Sequence, residues 1–442
     1  MTISERILDL SMIWKQASLV FPYFDKRNID WDQAYREYLP KVMAAESDRE
    51  FHLLLTEFMN LLGDGHTDYL MPKTLRDECG YLPFSLRFIR NVYCFDAISP
   101  IFKSFIGAEL IALNGVPFSD LIERIKKYAY HRENYISRYW LHTILPFFLQ
   151  SNGNPAVTTK GSFSFDLLPS KPDDFIFQTV DLQMPFQRIG TGRTDIRLYE
   201  NGILLITLNN FLYDKAANEI RSVLAQMREI SGIIFDLRDN IGGMTLYGAK
   251  IAELMIPGIF HGCKKRTRLI KGVDLASSMQ ILRWSDEAIE RHIAAGLSTR
   301  EEIEESKRIV ENAYFDHYVD SYGAENHAAL FTGPCVILTS RHTVSAAEDF
   351  ITMYRTNHKA AVIGTEIYGS TGTPLVQKLS CGGIMRVCSV GYELMNGTGF
   401  IGCGIKPDIF CEMSNSDFQQ GHDSVLKTAM EYIQGSHDPQ QH

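Results

Sequence analysis

The sequence contains no uninterrupted apolar run of about 18 residues, which is the length a helix needs to cross a bilayer. Its first stretch, MTISERILDLSMIWKQASLV, also lacks the basic region and the continuous apolar core of a secretory signal. Thr2 and Glu5 instead fit a capping box at the start of an amphipathic helix. These absences predict a cytoplasmic protein without a transmembrane helix, and export stays open for a chain whose leader has been removed.

Cysteines with metal-site spacing are absent as well. The eight cysteines show no CxxC pair, so no zinc site is expected, and several lie in apolar runs that favour buried free thiols over disulfides. Nothing in the sequence indicates a cofactor. A net charge of −9 gives no reason to expect nucleic acid or an anionic membrane as a partner.

The chain is long enough for two or three domains, with 442 residues of which 45% are hydrophobic and 22% charged. From Ile203 onward, short β-branched runs alternate with helical patterns, and this alternation predicts an α/β layer. Two of its strand ends carry unusual residues, and both indicate acyl-transfer chemistry.

The first of these strand ends is CVILTSRHTVSAAEDFITMY, residues 335–354. Cys335–Leu338 predicts a buried strand, a polar turn follows, and Ser345 stands at the start of a predicted helix. The first-turn amides and the positive end of the helix dipole would face negative charge that develops beside this serine. Ser345 is therefore a candidate nucleophile, and the alternative is an ordinary serine N-cap.

The second strand end is GIIFDLRDNIGGM, residues 232–244. A Gly-Gly pair after a buried strand lets the backbone approach a ligand and point N–H groups toward it. The amide of Gly242 or Gly243, together with that of Ala346, predicts an oxyanion hole beside Ser345.

These motifs resemble those of the C-terminal processing and tricorn-type serine peptidases. In chain order the resemblance rests on LLGDGHT (Leu61–Thr67), GAELIALNGVPFSDL (Gly107–Leu121), DLRDNIGG, TVSAAEDF, VIGTEIYGSTGTPL and GFIGCGIKPDI. It covers nearly the whole chain apart from an insert. It implies an α/β fold with a Clp-protease/crotonase-like catalytic domain, an N-terminal helical domain and a PDZ-like β-rich module.

The expected domain boundaries follow from the motifs and the predicted elements. They are an N-terminal helical domain at 1–72, a PDZ-like module at 73–130, a connecting helix and strands at 131–200, a catalytic domain at 201–415 with a charged helical insert at 263–330, and a C-terminal helix and tail at 416–442. Pro83 removes a donor from the stretch that would bind a peptide carboxylate, so a scaffolding or gating role for the module stays open. The insert is expected to be a solvated face, with a lid over the cleft as the alternative.

A serine nucleophile needs a base, and relatives supply either a lysine after the serine or a histidine from the N-terminal region. Lysine is absent where Gly369-Ser370-Thr371 stands, so the resemblance implies His66 as the general base. The glutamate that supports the histidine in tricorn-type relatives aligns with Ile401. Possible substitutes are Glu393, Ser370 and Asp64, which the sequence does not rank.

Two further residues near Ser345 are ambiguous. Glu348 follows it by three residues and is expected to cap or buttress the helix. His342 precedes it by three residues, too close in the loop for its ring to reach the serine.

The expected function is that of a serine peptidase cleaving peptides or unfolded chains through an acyl-enzyme. One alternative is a catalytically inactive relative that binds peptide or an apolar ligand, which the missing glutamate favours. Another is acyl-CoA chemistry on the related crotonase fold. The expected partner is a peptide or protein substrate, and a homo-oligomer stays open.

Overall fold

The computed structural model describes residues 1–190, 192–227, 229–268, 278–279, 281, 284–310 and 315–435. The helices are α1 (Ile3–Val20), α2 (Trp31–Ala44), α3 (Asp48–Asn60), α4 (Lys73–Cys79), α5 (Phe118–Ile125), α6 (Arg138–Ile144), α7 (Ala216–Gln226), α8 (Thr245–Ala252), α9 (Asp286–Ala294), α10 (Arg300–Val310), α11 (Ala346–Thr356), α12 (Asn415–Gln420) and α13 (Ser424–Ile433). Among the described residues, no helix is both long and apolar enough to cross a membrane.

In the described part of the chain, the strands divide among six sheets. They are β1 (Asp68–Leu70), β2 (Phe84–Ile89), β3 (Val92–Ile98), β4 (Leu110–Leu113), β5 (Val116–Pro117), β6 (His131–Arg132), β7 (Tyr135–Ile136), β8 (Asn154–Thr158), β9 (Gly161–Phe165), β10 (Ile176–Phe177), β11 (Phe186–Arg188), β12 (Asp195–Tyr199), β13 (Ile203–Thr207), β14 (Gly232–Asp236), β15 (Phe260–Arg268), β16 (Phe315–Tyr322), β17 (Cys335–Thr339), β18 (Ala361–Gly364), β19 (Pro374–Lys378), β20 (Ile384–Cys388), β21 (Val390–Glu393) and β22 (Ile409–Phe410).

The catalytic region is built on a seven-stranded sheet in the order β11-β12-β13-β14-β17-β18-β22, and its strands from β13 to β22 run parallel. Helices cover both faces, so the central strands are apolar on both sides. On β14, Ile233 and Phe235 pack with α7, α8 and α11, whereas Ile234 packs with α13 on the opposite face. The predicted α/β layer is present, and the carboxyl ends of β14 and β17 lie side by side because these strands are neighbours.

The N-terminal region joins the catalytic region through a small sheet. The predicted capping box of Thr2 and Glu5 begins α1, and α2 and α3 follow within the predicted N-terminal helical domain. The short strand β1 then pairs antiparallel with β20, placing Asp68 opposite Arg386. This pairing places the loop just before β1, which belongs to the N-terminal region, next to the catalytic region.

The β-rich module extends beyond its predicted boundary at residue 130. The expected pair β2–β3 is present, but β4 pairs with β8 and β8 with β9, so strands from the predicted connecting segment complete its second sheet. Local sequence patterns do not reveal which strands pair when the antiparallel partners lie this far apart in the chain. The helix predicted in the connecting segment is α6, and a 3₁₀ turn, Leu145–Phe148, follows it.

The insert is more than a charged helix. Its β16 pairs with β15 along almost its whole length, and β15 pairs in turn with β21 of the catalytic region. The predicted charged helix is present as α10, while residues 269–277 and 311–314 lie outside the described part of the chain, as do residues 436–442 of the predicted C-terminal tail. A lid role for the insert stays a prediction.

Candidate active site

Ser345 occupies the N-cap position of α11, but its hydroxyl makes no capping hydrogen bond. Its backbone has φ 64° and ψ −132°, a conformation that L-residues rarely adopt and that costs of order 1–3 kcal/mol. The preceding loop is held by Thr343, which is fully buried and donates its hydroxyl to the carbonyl oxygen of Leu237 at 2.8 Å. The sharp turn therefore presents the hydroxyl instead of using it as a cap.

His66 lies directly against this hydroxyl, although 279 residues separate the two in sequence. Its Nε2 is 3.0 Å from Ser345 Oγ, and its Nδ1 is 2.6 Å from Ser370 Oγ. In the tautomer with the proton on Nδ1, the ring donates to Ser370 and accepts from Ser345. A serine hydroxyl and its potential base are thus in hydrogen-bond contact.

Burial sets the protonation state of this histidine. It lowers the pKa of His66 to about 4, with a smaller contribution from the positive charge of Arg386. The imidazole is therefore neutral near pH 7 and able to accept a proton. Asp64 accepts the backbone N–H of His66 at 3.2 Å and the hydroxyl of Thr67 at 2.7 Å, so it shapes the loop and does not contact the ring.

Of the three possible orienting residues, Ser370 is the one that contacts the imidazole. It is fully buried, and its N–H and that of Gly369 donate to Glu348 Oε1 at 3.0 and 2.8 Å. Glu348 is itself fully buried, and burial raises its pKa well above the usual range. The expectation that Glu348 buttresses the site fits this contact, because it holds the loop that carries Ser370.

The other residues considered for the histidine's partner or for the base are engaged elsewhere. Glu393, on strand β21, accepts a hydrogen bond from Lys26 Nζ at 2.6 Å. His342 contacts the hydroxyl of Tyr135 through Nδ1 at 2.9 Å. Ile401, which stands where relatives carry a glutamate, packs against apolar core residues.

The Gly-Gly segment lies against Ser345, and only one of its two amides is available as an oxyanion donor. The N–H of Gly242 donates to Asn240 Oδ1 at 2.8 Å, which corrects the prediction that this amide could serve. Gly242 instead gives close approach, since a Cβ there would lie 2.4 Å from Ser345 Cβ. Within the described part of the chain, the N–H groups of Gly243 and Ala346 donate to no protein acceptor.

Two site residues escaped the sequence reasoning, Asn240 and Asp349. Asn240 is fully buried and spans the Gly-Gly segment, with its amide donating to the carbonyl oxygen of Leu208 at 2.7 Å. Asp349 is 4% exposed and contacts two threonines near the site. The available signal was a pair of adjacent acidic residues in the otherwise apolar helix AAEDFITMY, since buried carboxyl groups require partners.

Comparisons with known proteins agree with this architecture. The most similar solved structures include mature CPAF, with a TM-score of 0.71 at 14% identity covering 99% of both chains. A putative peptidase from Parabacteroides merdae ATCC 43184 has a TM-score of 0.56 at 16% identity and covers 98% of this chain and 97% of its own. These likenesses show a shared mixed α/β fold.

Sequence comparisons link the chain to carboxy-terminal-processing and S41 peptidases. A carboxy-terminal-processing protease of Bartonella bacilliformis (strain ATCC 35685 / KC583 / Herrer 020/F12,63) is 28% identical over 93 residues, which span 21% of this chain and 21% of that protein. Residues 5–60 match the family model of the tricorn protease C1 domain, and residues 202–411, which contain Ser345 and the Gly-Gly segment, match that of peptidase family S41. The chain is thus similar to the serine peptidases of family S41 over slightly less than half of its length, and to the tricorn protease C1 domain near its N-terminus.

Proposed function

We propose that this protein is a serine peptidase that cleaves peptides or unfolded chains through an acyl-enzyme, with Ser345 as nucleophile and His66 as general base. The observation that carries the proposal is the 3.0 Å contact between His66 Nε2 and a serine hydroxyl that makes no capping bond. The match of residues 202–411 to the model of peptidase family S41 supports it independently.

The geometry supports a conventional two-step reaction. His66 Nε2 takes the proton from Ser345 Oγ as this oxygen bonds to the substrate carbonyl carbon. The resulting oxyanion accepts hydrogen bonds from the N–H groups of Gly243 and Ala346, at the positive end of the α11 dipole. His66 then gives its proton to the leaving amine as the C–N bond breaks, and a water molecule activated by the same ring hydrolyses the acyl-enzyme.

Ser370 has a distinct part in this scheme. Its hydroxyl oxygen accepts a hydrogen bond from Nδ1–H, with 2.6 Å between Oγ and Nδ1, which fixes the ring tautomer with Nε2 free to act as base. A neutral hydroxyl does not neutralise the imidazolium that forms during the reaction. We therefore expect orientation by Ser370 without the charge stabilisation that a carboxylate gives.

The surroundings of the Gly-Gly segment indicate the kind of substrate. Five large apolar side chains near Gly243 are more than half exposed to solvent. Three of them lie within three residues of Gly243: Ile241 66%, Met244 56% and Leu246 52%. The other two follow Phe211, whose backbone is bridged to Gly243: Leu212 56% and Tyr213 58%. We infer that these side chains form an apolar rim beside the path of a chain whose scissile carbonyl reaches Gly243. Unfolded chains display apolar side chains that folded proteins bury, so they suit this surface.

A fluorophosphonate probe tests the proposal, because it labels an activated serine. We expect labelling of Ser345 in the wild type, none in Ser345→Ala, and loss of most labelling in His66→Ala. Digestion of a reduced, unfolded protein should be faster than that of its native form. A folded wild type that neither reacts with the probe nor cleaves the unfolded chain would refute the proposal and favour the alternative of an inactive, peptide-binding relative.

The apolar rim has its own test. Ile241→Ser and Met244→Ser should raise KM about five- to tenfold for peptides with apolar residues at the scissile bond. Each loses an apolar contact worth about 1 kcal/mol, the low end for a binding pocket, because both side chains are more than half exposed. Ile101→Ser, at a position 80% exposed in a turn outside the catalytic region, is the matched control. Equal KM values in all three variants would show that the rim does not bind substrate.

A further inference from the structure

The carboxylate of Asp349 joins two segments of the proposed site. It lies in the first turn of α11, four residues after Ser345, and is 4% exposed. Its Oδ2 accepts the hydroxyl of Thr245 at 2.6 Å, and its Oδ1 accepts the hydroxyl of Thr371 at 3.0 Å. Each oxygen therefore holds a different part of the chain.

Thr245 ends the segment that presents the free amide of Gly243. It is the first residue of α8, whose N-cap Met244 makes no side-chain capping bond. On the other side, the N–H of Met244 donates to the carbonyl oxygen of Phe211 at 2.9 Å. The position of Gly243 is thus determined by Phe211 from one direction and by Thr245 from the other.

Thr371 belongs to the loop that orients the histidine. It directly follows Ser370 and is 1% exposed, so its hydroxyl has no solvent as an alternative partner. Glu348 accepts hydrogen bonds from backbone amides of the same loop, whereas Asp349 accepts one from the side chain of Thr371. The two acidic residues consequently make separate contacts to it.

We propose that Asp349 is a positioning residue that holds the Gly243 amide in register with Ser345. The inference rests on the proposed function, because it concerns the donor that would stabilise the oxyanion. Removing one oxyanion donor costs about 10²–10³ in rate, and a displacement of about 1 Å in a site costs about 10². Loosening the Thr245 contact should therefore lower kcat by a smaller, measurable factor.

Substitutions at Thr245 test this without changing a charge. Thr245→Val keeps the size of the side chain and removes the hydroxyl, whereas Thr245→Ser keeps the hydroxyl and removes a methyl group. We expect Thr245→Val to lower kcat about tenfold with KM within twofold, and Thr245→Ser to recover most of that loss. A peptide aldehyde, whose adduct carries an oxyanion, should bind Thr245→Val about tenfold more weakly, in parallel with kcat.

Three results would overturn the inference. These are an unchanged kcat in Thr245→Val, equal losses in both variants, or a reduced kcat with unchanged aldehyde affinity. A general loss of stability would lower the melting temperature and the fraction of active sites titrated by the fluorophosphonate probe, whereas a shift of one donor lowers kcat per titrated site.

Amide hydrogen exchange measures the order of the Gly243 segment and does not depend on catalysis. The N–H groups of Gly242 and Met244 are both hydrogen-bonded, so their exchange reports on the order of this segment. We expect exchange at these amides to be about tenfold faster in Thr245→Val than in Thr245→Ser. Equal exchange would reject the inference even for a protein without turnover, whereas absent turnover in the wild type with this exchange difference would reject only the proposed function.

Discussion

The backbone N–H of Ser345 donates to the carbonyl oxygen of Ser370 at 2.9 Å, so the two serines that contact His66 from opposite sides are bonded to each other. Their hydroxyls lie 3.0 Å from Nε2 and 2.6 Å from Nδ1 of the ring. A shift of either serine is therefore transmitted to the other, and the histidine sits within one hydrogen-bonded unit.

Ser370→Ala should lower kcat by about tenfold with little change in KM. Replacing the orienting aspartate of a serine protease triad costs about 10⁴, because tautomer control and charge stabilisation are both lost. Ser370 supplies only the first, so its removal should cost far less. Steady-state kinetics beside Ser119→Ala, an exposed serine on α5, would check this.

A loss as large as that of Ser345→Ala would mean that Ser370 does more than orient the ring. An unchanged rate would mean that the loop and its backbone bonds hold His66 without the hydroxyl.

The pH dependence of activity should differ from that of an ordinary histidine. Only the neutral ring of His66 accepts a proton, and burial lowers its pKa to about 4, so it stays neutral as the pH falls through 6.5. The acidic limb of kcat/KM should consequently lie near pH 4. Profiles measured from pH 3.5 to 8 with circular dichroism at each pH would separate this limb from acid unfolding.

Asp64 provides the control, because burial raises its pKa to about 6 and it contacts the same loop. An inflection near pH 6 that disappears in Asp64→Asn would belong to that carboxyl group. A single limb at pH 6.5 that persists in Asp64→Asn would contradict a buried, neutral His66, and activity rising only above about pH 8.5 would indicate a lysine base.

The parts of the site that are local in sequence were predictable. Ser345 and Gly243 each end a buried strand, and neighbouring parallel strands bring such ends together. His66 required the family resemblance, since its approach depends on the pairing of β1 with β20. The sequence could not show that Ser370, and not Glu393, contacts His66. Glu393 pairs with Lys26 instead, and no local pattern reveals this ion pair.

The occupied amide of Gly242 was unpredictable for a similar reason. Two adjacent glycines are equivalent donors in a sequence, and only the buried side chain of Asn240 distinguishes them. The pairing of β4 with β8, and of β8 with β9, across the predicted boundary at 130 was not predictable either. Long-range antiparallel pairing of this kind is set by packing and not by propensity.

Gly242→Ala should abolish activity and destabilise the protein. The new Cβ would lie 2.4 Å from Ser345 Cβ and 3.0 Å from the carbonyl oxygen of Val344, so the nucleophile or the backbone would have to move. Gly397→Ala is a matched control, with a similar φ of +84° but no atom within 4 Å of its Cβ. It should cost only the conformational strain, about 1 kcal/mol.

Urea unfolding and probe labelling of both variants would measure the difference. Equal stabilities, or labelling retained in Gly242→Ala, would mean that Ser345 is not packed against Gly242 as the structure has it.

Ser345→Gly should be more stable than Ser345→Ala, although both lack the nucleophile. The backbone at φ 64° and ψ −132° is strained for alanine by about 1–3 kcal/mol and unstrained for glycine. Two other effects act in opposite directions. Glycine loses about 0.5–1 kcal/mol more in chain entropy on folding, which favours the alanine variant, but it is a better N-cap than alanine, which favours the glycine variant. Ser137 is an N-cap with φ −65° and no side-chain capping bond, and therefore isolates the strain. The glycine-minus-alanine difference in the free energy of unfolding should be about 1 kcal/mol larger at Ser345 than at Ser137. Equal differences in urea unfolding at the two positions would show that the nucleophile turn stores no strain.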